Sequence, residues 1–139
     1  MRTKVYEIPG KVLIEWDSTE NIMIAHWLSY AVTLAEYKEA IYNKGLNMVK
    51  IHKSKALIID SSKAKGVFSM EIQNFTKDVV YPAEVKLGLK YFITIDSESA
   101  LTNMNVKMYS VNADSSGLKT VKASSIKGAI DWLKQEHLY

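Results

Sequence analysis

The sequence predicts an α/β domain whose mixed sheet has about five strands, in the order β-β-α-β-α-β-α-β-α. Three observations carry this reading. Two stretches near the N-terminus, 11–17 and 21–29, are strand-like and separated by about four polar residues, as in an antiparallel hairpin. Two later runs, ALIID at 56–60 and LKYFITI at 89–95, are short, largely apolar and closed by an acid, as strands covered on both faces are. Between and after these runs, apolar residues recur at helical spacing.

In the first strand, Val12, Ile14 and Trp16 alternate with Lys11, Leu13, Glu15 and Asp17. Pro9-Gly10 marks a turn before it, and 17–20 is rich in turn formers. The stretch 21–29 comes next as the second strand. Thr33-Leu34-Ala35-Glu36 is a capping-box pattern, so a helix is expected over about 34–53, with a bend at Gly45. ALIID is the third strand and 61–68 is loop. Ser69 caps a second helix that is expected to stop near Val80, ahead of Pro82. LKYFITI is the fourth strand. Ala100, Leu101, Met104 and Met108 mark a third helix within 97–108, and 112–117 is turn chemistry. A short strand at 118–123 precedes a last helix striped by Ile126, Ala129, Ile130 and Leu133. Helical crossovers make the later strands parallel and right-handed in connection. No repeat, low-complexity stretch or linker divides the chain, so 1–139 reads as one domain with its core over about 11–135.

Composition narrows the function. The chain has no cysteine, which excludes disulfides, zinc–thiolate sites, iron–sulfur clusters and thiol catalysis. The formal charge is +3; one of the 18 basic residues is Arg2 and the rest are lysines, which lack the fork that reads phosphate and guanine. No nucleic-acid partner is expected. No apolar run reaches the ~20 residues of a membrane span, and the first residues lack a signal-peptide core, so a cytoplasmic protein is expected.

Catalytic motifs are sparse. There is no G-x-G-x-x-G, no phosphate loop and no nucleophile elbow. His26, His52 and His137 have no i, i+4 partners for a metal, and read respectively as a strand histidine, a helix-end residue and a tail residue. Asp60 and Asp96 fall at the carboxyl ends of parallel strands, where open α/β sheets bind ligands. Paired, they would hold Mg²⁺ or share a proton; singly, they stop strands and cap the succeeding turns. Glu15 and Asp17 read as a solvated strand face. Asn74-Phe75-Thr76 matches a glycosylation sequon, without consequence in a protein that is not secreted.

Three stretches carry a family resemblance: Ile22–Trp27 running into Thr33-Leu34-Ala35-Glu36-Tyr37; Leu57-Ile58-Ile59-Asp60 followed by an eight-residue loop to Ser69; and the ending Ala123-Ser124-Ser125-Ile126-Lys127-Gly128-Ala129-Ile130-Asp131-Trp132-Leu133. Together, over about 11–135, they resemble the STAS family, and most closely its divergent stand-alone SpoIIAA-like members. The resemblance implies a regulatory domain related to anti-sigma-factor antagonists. In that branch a serine nine positions after the third strand's Asp, at a helix N-terminus, is phosphorylated by a partner kinase. Counting from Asp60 lands on Ser69, which makes it the phosphorylation candidate. The family's Asp-Ser-Ser-Gly is replaced here by Phe68-Ser69-Met70-Glu71, while Asp60-Ser61-Ser62 stands at the strand end.

The expectation is therefore a non-catalytic interaction domain with no cofactor and no metal. It would bind another protein through Asp60, Ser61, Ser62, Phe68, Ser69, Met70 and Asp96, with self-association as a further expectation. Two alternatives stand beside it. One is a carrier of a small apolar ligand or nucleotide, with Met48, Met70, Met104 and Met108 supplying a deformable pocket. The other is a metal-dependent enzyme using Asp60 and Asp96.

Overall fold

Six strands lie in the sheet in chain order: β1 (Arg2–Ile8), β2 (Val12–Asp17), β3 (Ile22–Trp27), β4 (Ala56–Asp60), β5 (Tyr91–Ile95) and β6 (Lys119–Ala123). The structure is a computed structural model and describes residues 1–136. The first three strands form an antiparallel meander; β3 to β6 are parallel. The expected α/β class and mixed sheet are present, with one strand more than expected. β1 pairs antiparallel with β2, and its register shifts between Lys4 and Tyr6. Around that shift the sequence neighbours Val5 and Tyr6 both pack against the main core, which breaks the period-2 alternation by which a strand is recognised. The sheet therefore begins at Arg2, outside the expected core.

Four helices accompany the sheet among the described residues. Helix α1 covers 34–52, with α-helical Leu34–Tyr37 and Leu46–His52 flanking wide π-type turns at Lys38–Gly45. Both capping-box bonds are formed: Glu36 N–H donates to Thr33 Oγ1 at 3.1 Å, and Thr33 N–H donates to Glu36 Oε1 at 2.9 Å. Helical backbone continues through Gly45, where a bend is expected, at φ -65 and ψ -52. A Cβ at Gly45 would lie 3.1 Å from Met23 Sδ and 3.3 Å from the Ala40 carbonyl, so the missing side chain lets the helix sit close on β3.

Helix α2 covers 70–86 as Met70–Phe75, π-type Thr76–Val80 and Tyr81–Lys86. It passes Pro82 instead of stopping before it. The proline stands in the first turn of the last α-helical segment, directly after the π-type turn, and the helix continues past it although its missing N–H breaks the ladder there. The wide turn ahead of it accommodates the ring. Helix α3 (Ala100–Ser115) starts later and ends later than expected; 112–115 continues the helix because Ala113 is buried against the core, and Gly117, at φ +107, ends the run. Helix α4 is Ile126–Gln135, with Ser125 Oγ accepting from Gly128 N–H.

Since β3 to β6 are laid down in order and crossovers share one hand, α1, α2 and α3 fall on the same face. Met23, Ala25 and Trp27 of β3, Leu57 and Ile59 of β4, and Phe92 of β5 meet them there. The other face is covered by α4 alone, whose Ala129 and Leu133 pack on Ile22, Ile24, Ile58 and Ile93. ALIID is thus buried on both sides, as its unbroken apolar run requires.

The larger core is aromatic and contains a polar seam. Tyr37 and Tyr109 share a hydroxyl–hydroxyl bond of 2.8 Å, Thr76 Oγ1 lies 2.7 Å from the Tyr37 hydroxyl, and Tyr81 O–H donates to the Tyr109 carbonyl at 2.9 Å. Beside them Glu84 is 1% exposed and its Oε1 has no partner. Burial pushes its carboxyl pKa up to about 8, so the folded protein holds it mainly as the neutral acid at pH 7. The stability attached to that proton is complete below the unfolded value and is lost as pH rises toward 8. We expect unfolding free energy to fall between about pH 5 and pH 8 by up to ~1.4 kcal/mol per pH unit, and Glu84→Gln to flatten that slope. Denaturant titrations of both proteins across this range check it; parallel slopes would reject a titrating Glu84.

Candidate functional site

The carboxyl ends of β3 and β4 bring together three residues that are distant in sequence. The meander pairs Leu13 with His26 and Glu15 with Ile24, which makes Glu15 and His26 diagonal neighbours on one sheet face. The parallel register then sets His26 beside Asp60. His26 Nε2 is 2.6 Å from Glu15 Oε1, and Nδ1 is 3.5 Å from Asp60 Oδ2. This is the sheet face that α4 covers only in part, and the side chains of all three are between 18% and 23% exposed.

The Asp60 carboxylate, reinforced by Glu15, raises the His26 pKa against the opposing effect of burial. His26 in turn holds the Asp60 carboxyl down to about 2, helped by Ser62, whose backbone N–H donates to Asp60 Oδ1 at 3.0 Å. When the ring is protonated, Nε2–H faces Glu15 and Nδ1–H faces Asp60, and neither nitrogen then has a free lone pair with which to take a proton or bind a metal. The arrangement is an ionic clasp across β2, β3 and β4. It borders a cleft of about 230 Å³ that also includes Leu13, Leu28 and Lys63.

Asp60 does cap the turn after its strand, through the Ser62 amide, as expected of a lone strand-end acid. Asp96 is exposed and pairs with Lys122 at 3.0 Å, so the two strand-end acids turn to different partners. Among the described residues no three His, Asp or Glu side chains are arranged to hold a metal ion. Glu15 and Asp17 are not the free solvated face expected: Glu15 meets His26, and Asp17 is 7% exposed, accepting from Thr19 and Glu20 N–H at 3.0 Å each. His52 stacks on Trp16 at the end of α1, 4.2 Å between ring centroids. His137 lies outside the described residues.

The expected partner surface divides into an outer and an inner set. Ser62 is half-buried, and Ser69 and Met70 are exposed. Ser69 Oγ accepts from Ile72 N–H at 3.2 Å, the N-cap role expected of it. Ser61 and Phe68 are interior instead. Ser61 is fully buried, bonded to the Tyr30 hydroxyl and to the Ile95 carbonyl. Phe68 is 2% exposed, edge-on to Trp27, Tyr30 and Tyr37. The loop needs such anchors because α3 grips it: Asn105 Oδ1 accepts from Phe68 N–H, and Thr102 Oγ1 donates to the Gly66 carbonyl, each at 3.0 Å.

That grip orients α3. Its inward face carries Thr102, Asn105, Val106, Tyr109 and Ala113, while Leu101, Met104, Met108 and Val111 point outward. The methionines that suggested an internal pocket do not gather around one: Met70 and Met104 are 67% and 69% exposed, Met48 packs at the edge of the main core, and Met108, 51% exposed, borders only a cavity of about 10 Å³ between α2 and α3.

The chain matches no family model, no curated protein and no solved structure. No helix among the described residues is long and apolar enough to cross a membrane.

The clasp gives two expectations. Raised His26 contributes stability that is full below pH 6.5 and is lost as pH climbs through its folded value; lowered Asp60 contributes stability that is full above about pH 4 and is lost toward pH 2. His26→Gln should therefore cost about 1–2 kcal/mol near pH 6, where both contributions hold, and less at pH 9. Chemical denaturation at the two pH values measures this. An NMR titration of His26 with a midpoint below 6.5 would rule the clasp out.

Proposed function

We propose that this chain is a non-catalytic regulatory or protein-interaction domain of the STAS, SpoIIAA-like kind, acting in the cytoplasm, and that its partner docks on the outer face of α3. One observation carries this reading: an apolar stripe of Leu101, Met104, Met108 and Val111 stands in solvent on a well-anchored helix, with Val67 and Met70 also exposed nearby. Contiguous exposed apolar surface of this kind marks interaction sites. Methionine suits it, because a flexible, polarisable side chain adapts to the surface it meets.

Ser69 stands directly before Met70 and is exposed. A phosphate there would meet the free amides at the start of α2 and place charge at the border of the apolar stripe. Phosphorylation would thus alter docking without disturbing the core, which is the switch the family resemblance implies.

A photo-crosslinking side chain introduced in cells at position 104 should give a discrete protein adduct, whereas one at position 134, on α4 across the sheet, should not. Equal adducts at both positions would overturn the docking face. Phosphate labelling in extract should be lost in Ser69→Ala; unchanged labelling would remove Ser69 from the switch.

A further inference from the structure

Resting on that docking face, we propose that its occupant is a second copy of this chain, with α3 packed antiparallel on α3 about a two-fold axis. The spacing of the stripe favours this partner. Leu101, Met104, Met108 and Val111 are separated by three, four and three residues, the a-d-a-d pattern of a helix pair. The series reads the same in both directions about residue 106. An antiparallel pair therefore sets Leu101 against Val111 of the other copy and Met104 against Met108, and repeats both contacts across the axis.

The rest of the helix agrees with this geometry. Thr102, Val106, Tyr109 and Ala113 fall on the opposite side, committed to the protein's own core. The 16 residues of α3 are enough for three full turns of contact. With Val67 and Met70, the stripe exposes on the order of 600 Å² of apolar side chain, at the top of what monomers usually leave bare. That is about three quarters of the ~800 Å² each partner contributes to a standard interface.

Between Leu101 and Val111 the only charged residue is Lys107. It flanks the stripe close to the axis, so the two copies of Lys107 approach each other. Their repulsion is screened by salt, and the pairing should tighten as ionic strength rises.

The chain has no cysteine, so introduced thiols report unambiguously. Under mild oxidation, a mixture of L101C and V111C chains should form disulfide dimers at least ~10-fold more readily than either variant alone, because each residue faces the other. Wild type should sediment as a dimer at about 100 µM and Met104→Asp as a folded monomer, with unchanged circular dichroism, since residue 104 is exposed. Efficient cross-linking of L101C alone would overturn the antiparallel arrangement. A monomeric wild type with no disulfide in any combination would overturn self-pairing altogether. In that case a cross-link from position 104 to a different protein would keep the docking face, and its absence would remove that as well.

Discussion

Strands β3 to β6 enter the sheet in chain order and run parallel, and this constrains everything built on them. A strand can reach its parallel neighbour only by a long crossover, and crossovers of one hand return over one face. Three helices are thereby committed to the same side, where they enclose an aromatic core around Trp27, Tyr37, Phe68 and Phe92. The opposite side receives only α4, which comes after the last strand and is free of the crossover rule. One helix of ten residues does not cover six strands. The sheet is left partly open over β2 and β3, where the clasp of Glu15, His26 and Asp60 lies.

Burial without full compensation recurs on the helical side. Tyr37, Thr76, Tyr81 and Tyr109 satisfy one another, but Glu84 Oε1, Asn105 Nδ2 and Trp27 Nε1 have no partner. Neutralising Glu84 is the least costly state for a carboxyl so placed. Asn105 spends its oxygen on the amide of Phe68, which fixes the loop at the cost of its own amide group. Helix α3 thus uses its polar residues inward, to hold the loop that leads to Ser69, and turns apolar residues outward. Positioning the loop and presenting the stripe are two consequences of a single helix orientation.

Helical spacing in 97–108 indicates a helix but not which side faces in. Leu101, Met104 and Met108 look like a core stripe, yet they are the solvent face, because Thr102 and Asn105 find hydrogen-bond partners in the loop that no local pattern announces. The same local blindness hides β1, whose bulge erases alternation, and carries α2 past Pro82 through a π-type turn. Ser61 and Phe68 read as loop surface and are interior for a comparable reason: the loop folds back over the aromatic core. Elements whose signals are local match their expectations well. The capping box at Thr33, the Ser69 cap and the doubly buried ALIID strand are such cases.

Sequence alone determined the absence of any cysteine chemistry, through composition, and the α/β class, the antiparallel start followed by parallel strands and the helix caps, because these follow from local patterns and the order in which they occur. Only the tertiary structure decided that Glu15, His26 and Asp60 meet and that α3 exposes its apolar side. Both depend on register and on packing between segments far apart in the chain, and a side chain's face is set by the surface it lies against.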